Sequence, residues 1–251
     1  MAGQSSQLRR RDGRIDGQSV KWQMMVMAYV DQIGSPVSRP PTKRNPYRSP
    51  LRAEQAAATR RLILDAATRL FVERGYAGTS IDAIADEAGV GRSTVFAAAS
   101  GKSWLLKTAY DRAVAGDDEP IPVRERPYAR HLFEMTDPGR IIDSYARFIA
   151  EAGQRVSAIY EVVRSAAGCD GEVEQLWADI GEQRLVGAGQ IVDLIAKNGG
   201  LRKGLRTATA RDVVWIYNDP GLHYALVITR GWSQKRYRDW IANNLHHSLL
   251  G

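Results

Sequence analysis

The sequence predicts an all-α protein. From Ala53 onward, apolar residues recur at the spacing of amphipathic helices, as in the series Leu62, Ala66 and Leu70. No stretch shows the sustained alternation of apolar and polar residues that a half-buried strand requires. Glycine and proline residues separate the helical stretches, at positions where they end helices or form turns. Together these observations favour a bundle of helices without a sheet.

A basic segment precedes the helical part. Residues 1–52 hold ten of the 35 Lys and Arg residues and only three acidic residues, which accounts for the net charge of +7. Five prolines between residues 36 and 50 disfavour helix there, so we predict a basic, disordered N-terminal extension over residues 1–52. Such an extension suits a nucleic-acid partner, but a solubilising tail accounts for the charge equally well. Met24, Met25 and Met27 also offer later start sites, which would make part of the extension an artefact.

Several function classes lack their sequence features. The single cysteine, Cys169, excludes an internal disulfide framework and a cysteine metal cluster, and it fits a reducing cytoplasm. No apolar run approaches the roughly 18 residues that cross a bilayer. The histidines lack metal-ligand spacing, and there is no nucleophile elbow, P-loop or dinucleotide-binding glycine motif. We therefore expect a cytoplasmic protein with no membrane span, no metal, no cofactor and no enzymatic activity.

Four helices are predicted up to residue 115. The first ends at Arg74, because Gly75 supplies a left-handed stop. The second has Thr79 at its N-cap and Asp82 three residues later, in the positions of a capping box. The predicted bounds of the second, third and fourth helices are Thr79–Ala88, Arg92–Ala98 and Lys102–Ala115.

The remainder of the chain is also predicted to be helical. The acidic, breaker-rich link Gly116–Pro122 separates it from the first part. Asn198–Gly200 and the pair Asp219–Pro220 end or interrupt later helices. Helices are predicted over about 124–135, 138–152, 155–168, 172–197, 209–217, 220–230 and 234–250.

The second and third helices form a helix-turn-helix pattern, two short helices joined by the glycine-containing turn Gly89–Gly91. In that arrangement the exposed side of the third helix lies in the major groove, with its first residues at base edges. Arg92 can pair with guanine or with a phosphate, whereas hydroxyls more often contact phosphate. A cation at the start of the fourth helix suits a phosphate as well. The candidate DNA-binding residues are Thr79, Ser80, Arg92, Ser93, Thr94, Phe96 and Lys102.

The segment around this pattern resembles a known family. The residues that match the N-terminal domain of TetR-family regulators in order and spacing are Thr59–Ala67, Leu70–Phe71, Glu73–Tyr76, Thr79–Ser80, Ile84–Ala85, Ala88–Val90, Ser93–Phe96 and Lys102. The resemblance implies an all-helical homodimer. A helix-turn-helix DNA-binding head, residues 53–107, would precede a larger helical domain, residues 108–251, for effector binding and dimerisation. It also implies a repressor that a small-molecule effector releases from a palindromic double-stranded DNA operator.

The third helix departs from the family pattern. Aromatic residues and a histidine are usual late in this helix, but the chain has Phe96 followed by three alanines, residues 97–99. Phe96 has no hydroxyl that could donate to phosphate. DNA contact is therefore expected to shift toward Arg92, Ser93, Thr94 and Lys102, and we hypothesise that the basic extension supplements them.

Aromatic residues and histidine are the candidates for an effector pocket in the larger domain, although each could equally be a core or interface residue. The candidate effector-binding residues are Tyr145, Tyr160, Trp177, Trp215, His223 and Tyr224. The resemblance suggests a four-helix dimer contact between the last two helices of each subunit. The candidate interface residues, which form one apolar stripe, are Tyr237, Trp240, Ile241 and Leu245.

Two other functions remain open. An architectural protein could use the basic extension to bind DNA with little sequence preference. A helical enzyme would need converging acid, base or nucleophilic groups, and the sequence shows none.

Overall fold

The computed structural model describes residues 50–116 and 127–250, and this part of the chain consists of helices, turns and short connections without a strand. The helices are α1 (Pro50–Arg74), α2 (Ile81–Ala88), α3 (Arg92–Ala98), α4 (Lys102–Ala115), α5 (Pro127–Glu134), α6 (Pro138–Ala166), α7 (Gly171–Lys197), α8 (Thr207–Tyr217), α9 (Pro220–His223) and α10 (Gln234–Leu249). The segment Tyr224–Thr229 continues α9 as a π-helix. The all-α prediction is confirmed.

Several predicted boundaries are changed. Residues 138–152 and 155–168, predicted as two helices, form the single helix α6. α1 begins at Pro50, so the last three residues of the predicted extension are helical. Residues 1–49 of the predicted extension lie outside the described residues. So do residues 117–126, which include most of the predicted link.

The N-cap of α2 is Ser80, and the prediction that Thr79 caps this helix is wrong. The Ser80 hydroxyl accepts a hydrogen bond from the Ala83 amide at 3.1 Å. Thr79 is 1% exposed, and its hydroxyl lies 3.1 Å from the carbonyl oxygen of Leu70 and 2.8 Å from that of Gly75. The Thr79 hydroxyl is therefore directed at backbone carbonyls near the end of α1 and not at the first turn of α2.

The core of the first four helices continues into the helices that follow. Phe71 of α1, Ile84 of α2 and Val95 of α3 are fully buried in one apolar cluster. The same cluster contains Val163 of α6 and Val173 of α7. Because these side chains belong to one cluster, the first four helices, here called the head, pack directly against α6 and α7.

A second apolar cluster is built by α6, α7, α8 and α10. Ile142 of α6, Ile195 of α7 and Val214 of α8 are fully buried there. α10 contributes one stripe, formed by Tyr237, Ile241, Leu245 and Leu249. No described helix is long and apolar enough to cross a membrane.

Candidate nucleic-acid interface and ligand cleft

α2 and α3 form a helix-turn-helix. Gly89 ends α2 with φ +66°, a left-handed conformation that costs glycine little, and its N–H donates back into the last turn of α2. Val90 is half-buried against the head core, and Val95 anchors α3 at 0% exposure. The predicted motif is therefore confirmed, and its turn orients α3 with one side facing outward.

The outward side of α3 carries Arg92, Ser93, Phe96 and Ala97, all exposed, while Thr94 is half-buried. Phe96 is 52% exposed although it is a large apolar side chain. Ser80 is exposed, but its hydroxyl oxygen already caps α2. Thr79 is buried and is withdrawn from the candidate DNA contacts.

Arg92 pairs with Asp82, which the sequence pattern placed only in a capping box. Its Nη1 lies 2.6 Å from each carboxylate oxygen of Asp82, one helix earlier. Its guanidinium carbon also lies 5.5 Å from the centre of the Phe96 ring. A helical wheel alone would not reveal this arrangement, because the partners of Arg92 lie on two helices.

Lys102 lies at the start of α4, as the motif predicted, and its ammonium has partners within the protein. Nζ donates to the carbonyl oxygen of Tyr76 at 3.0 Å and lies 4.1 Å from the centre of the Tyr76 ring. An ammonium has three N–H groups, so this position keeps capacity for a phosphate while the side chain is fixed.

An open cleft of about 340 Å³ lies between α6, α7, α8 and α9. Three of the six candidate effector residues, Tyr160, Trp177 and Trp215, line it. The rest of its lining is Glu161, Arg164, Ile216, Asp219, Gly221 and Leu222. The volume falls at the lower end of the range for small-molecule sites, and the walls combine aromatic rings with a few polar groups.

Arg184 of α7 joins the helices behind this cleft. Its guanidinium donates to the Trp215 carbonyl at 2.8 Å and to the Tyr160 hydroxyl and Asn218 Oδ1 at 3.2 Å each. It also lies 3.2 Å from the Asp219 carboxylate and stacks near the Trp215 ring, 5.0 Å from its centre. Only 11% of the side chain is exposed. Arg184 could not be singled out from the sequence, because its partners lie on α6 and around the end of α8.

The other three candidate effector residues lie elsewhere in the larger domain. Tyr145 is buried and accepts a hydrogen bond from Asn218 at 3.1 Å, and burial raises its pKa to about 12.

His223 is buried, with Nδ1 3.0 Å from the Ser157 hydroxyl and Nε2 2.8 Å from Gln234 Nε2. Burial lowers the pKa of His223 below its ordinary value, so its ring is neutral at neutral pH. Tyr224 is half-buried in the π-helix, and none of these three residues lines the cleft.

The predicted dimer stripe is corrected. Tyr237 and Ile241 are 0% exposed and Leu245 is 1% exposed within the single chain. Their side chains pack on α6 and α8, so they have no surface left for a second subunit. Trp240 is half-buried beside Tyr217, with the two ring centres 5.5 Å apart.

Comparison with known proteins agrees with this geometry. Residues 63–109 match the family model of bacterial regulatory proteins of the tetR family. No curated protein sequence is similar enough to count as a relative.

Solved structures share the fold at low identity. FadR from Bacillus subtilis, a transcriptional regulator solved with stearoyl-CoA, is 17% identical with a TM-score of 0.58, over 74% of this chain and 96% of that one. A protein from Saccharomonospora viridis, described as a transcriptional regulator and solved with choline, is 20% identical with a TM-score of 0.59, over 78% and 99%. A TetR-family structure from Mesorhizobium loti is 18% identical with a TM-score of 0.57, over 77% and 96%. The head therefore matches the family model of tetR regulatory proteins in sequence over residues 63–109, and the described part of the chain shares its fold with these solved structures.

Proposed function

We propose that the protein is a homodimeric repressor that binds an inverted-repeat operator through α3 and is released when a small molecule occupies the cleft. The observation that carries this proposal is the position of α7. Its N-terminus contacts the head, and Trp177, two turns further along, lines the cleft. Since the operator is chromosomal DNA, the proposal also places the protein in the cytoplasm.

The contact between α7 and the head passes through Asp170, the N-cap of α7. One carboxylate oxygen accepts a 2.6 Å hydrogen bond from the Tyr76 hydroxyl, and the other accepts from the Glu172 amide at 3.0 Å. Ser103 of α4 also donates to Glu172. Trp177 and Arg184 follow two and four turns along the same helix. A ligand that binds one position of α7 more tightly than another therefore changes the population of head positions.

The operator proposal is tested by footprinting on DNA upstream of the gene and of its neighbours. A dimer with two α3 helices should protect a discrete inverted repeat whose half-site centres are about one helical turn apart. An architectural protein would instead protect DNA with little sequence preference, and that outcome would overturn the proposal. Ser93→Ala and Arg92→Ala should weaken protection, whereas Val72→Ala, an exposed apolar change on α1, should not.

The cleft supports an effector of modest size. The walls are aromatic, and the acidic groups have basic partners, since Arg164 pairs with Glu161 at 2.7 Å and Arg184 with Asp219 at 3.2 Å. With its charges balanced, the cleft favours a compact ligand bound by ring contacts over a strongly charged one. The choline found in the Saccharomonospora viridis protein is of suitable size, whereas the stearoyl-CoA of FadR is too large for about 340 Å³.

The effector proposal is tested by tryptophan fluorescence. A small-compound library is titrated into the protein, and each compound that alters the fluorescence is assayed for release of operator DNA. Trp177→Phe and Trp215→Phe should each reduce the fluorescence response. Trp104→Phe, in the head, is the matched control and should leave it intact. Fluorescence changes that persist in both cleft variants would place the effector elsewhere.

We propose that the second subunit packs on the π-helix. The apolar residues Leu226, Val227 and Ile228 are not buried in the single chain, and Ile228 is 56% exposed. An inverted repeat requires two copies of α3, so an uncovered apolar segment in the larger domain suits a second copy of this chain. Ile228→Asp should shift the molecular mass in sedimentation toward the monomer, whereas Val72→Asp on the head should not. A dimer unaffected by Ile228→Asp would exclude this surface.

A further inference from the structure

Phe96 and Arg92 form a mixed apolar and cationic surface on the outward side of α3. The ring of Phe96 is 52% exposed, and the Arg92 guanidinium carbon lies 5.5 Å from its centre. Asp82 engages only Nη1 of Arg92, with both oxygens at 2.6 Å. Nη2 and Nε have no hydrogen bond among the described residues. The surface therefore presents an aromatic ring beside a guanidinium edge with two free donor groups.

The major groove offers one partner for each of these groups. Among the bases of DNA, only thymine carries an apolar group there, its C5 methyl, and apolar side chains contact it. Guanine presents the acceptors O6 and N7, which arginine pairs with bidentately. Phosphate is a poor partner for Phe96, because the ring has no hydrogen-bond donor. The neighbouring Ala97 adds apolar surface and no polar group.

We propose that Phe96 contacts a thymine methyl in each operator half-site, and that Arg92 pairs with a guanine next to that thymine. The spacing supports neighbouring bases, because successive base pairs are about 3.4 Å apart along the helix axis and the two side-chain groups are 5.5 Å apart. Asp82 is the positioning residue, since it fixes the guanidinium beside the ring before DNA arrives. This inference rests on the proposed function, in which α3 is the recognition helix.

The thymine contact is tested with deoxyuridine, which keeps thymine's hydrogen bonds and lacks its methyl. Binding sites are first selected with the wild-type protein from a random-sequence duplex pool, and each thymine of the selected half-site is then replaced in turn. At one position the wild type should lose about fourfold in affinity per half-site, as expected for one buried methyl, and about fifteenfold when both half-sites are replaced. Phe96→Ala should bind more weakly and no longer distinguish the two DNAs. The exposed position of Phe96 makes this variant harmless to the core.

The guanine contact is tested in the same way with 7-deazaguanine, which lacks the N7 acceptor. The wild type should lose affinity at the guanine beside the critical thymine, and Arg92→Ala should not discriminate between the two bases. Asp82→Asn should reduce this discrimination and keep the deoxyuridine effect. Each variant is compared on the modified and the unmodified DNA. A residue with a purely structural role would weaken binding to both DNAs equally, so the ratio of the two affinities would not change.

Three outcomes would overturn the inference. The deoxyuridine penalty could persist in Phe96→Ala, it could be absent at every thymine, or the critical guanine could lie away from the critical thymine. Val72→Ala serves as the control and should keep both penalties. A failed selection, with no enriched sequence, would instead overturn the proposed function itself. Selected binding that is insensitive to Ser93→Ala, Arg92→Ala and Phe96→Ala together would show that another element reads the DNA.

Discussion

The Tyr76 hydroxyl donates a 2.6 Å hydrogen bond to Oδ2 of Asp170, which joins the head to the N-terminus of α7. This hydrogen bond is the main reason that the pKa of Asp170 lies below its usual value, and backbone amides of α7 add to the effect. Burial and the nearby carboxylate raise the pKa of Tyr76, so the phenol stays protonated and remains the donor. A single carboxylate therefore caps α7 and holds the head.

Tyr76→Phe should lower the free energy of unfolding by about 1 kcal/mol at pH 7, the typical value of a hydrogen bond to a partly exposed charged group. Because the pKa of Asp170 is depressed in the folded state, its stabilising effect is present above its ordinary pKa of 3.8 and is lost as the pH falls through the folded value. Urea denaturation should thus show a gap between wild type and variant that shrinks in acid. Tyr217→Phe, which removes a neutral hydrogen bond to Asn244, should show a gap that does not depend on pH.

His223→Gln should abolish part of the pH dependence of stability. The folded pKa of His223 lies below the ordinary 6.5, so unfolding takes up a proton as the pH falls below that value, and the wild type loses stability there. The variant should be about 1–3 kcal/mol less stable at pH 8, because Ser157 and Gln234 lose a buried partner. Thermal unfolding at pH 8 and pH 5.5 should show the difference narrowing at the lower pH. An equal difference at both values would contradict a neutral, buried ring.

Gly153→Ala should destabilise the protein although alanine favours helix. A Cβ at Gly153 would lie 2.5 Å from Cδ2 of the His223 ring, closer than real side chains approach. The resulting overpacking should cost about 1–3 kcal/mol, more than the roughly 1 kcal/mol gained in helix propensity. Gly187→Ala on α7 is the control, since its Cβ would meet nothing within 4 Å and the change should be neutral or stabilising. Chemical denaturation of the two variants gives the comparison.

Arg184→Met should cost about 2–4 kcal/mol of stability. The change removes hydrogen bonds to Trp215, Tyr160 and Asn218 and leaves Asp219 without its cation in a largely buried position. Arg164→Met is the matched control on the same cleft. The Arg164 side chain is 56% exposed in its ion pair with Glu161. Loss of this ion pair should therefore lower the free energy of unfolding by less than about 1 kcal/mol. Equal losses in urea denaturation would show that the Arg184 network does not stabilise the cleft.

Deletion of residues 1–49, which keeps α1 intact, should flatten the dependence of operator affinity on salt. These residues hold nine Lys and Arg, and each phosphate contact contributes about −0.9 to the slope of log affinity against log salt concentration. A slope change of at least about 1 would support the hypothesis that the extension adds to a recognition helix with few polar contacts. An unchanged slope would show that α3 and Lys102 suffice.

The helix-turn-helix could be predicted from sequence because its determinants are local. Gly89 needs a left-handed turn, and the apolar spacing around Ile84 and Val95 marks the inner faces of two short helices. The N-cap was misplaced by one residue because Thr79 and Ser80 both carry a suitable hydroxyl. Which of them turns inward depends on carbonyl groups of α1 that the sequence pattern does not show.

The rest of the site depends on contacts between distant elements. The stripe that starts at Tyr237 was correctly identified as one apolar face of α10, but an apolar stripe does not show whether it meets α6 or a second subunit. Arg184 sits in a helix as many surface arginines do, and its partners are 24 to 34 residues away in sequence. The break predicted between residues 152 and 155 contains Gly153, which lets the His223 ring approach α6 inside one continuous helix.

The core shared by Val95, Val163 and Val173 makes the head and the cleft a single cooperative folding unit. Local unfolding of the head exposes the apolar faces of α6 and α7, the helices that also line the cleft. The free energy of this unfolding therefore depends in part on the contacts that shape the cleft. A compound bound in the cleft should therefore slow hydrogen exchange at amides of α1 and α4, even where it touches none of them. The protein's response to its ligand is thus measurable without DNA, as protection in helices that the ligand does not contact.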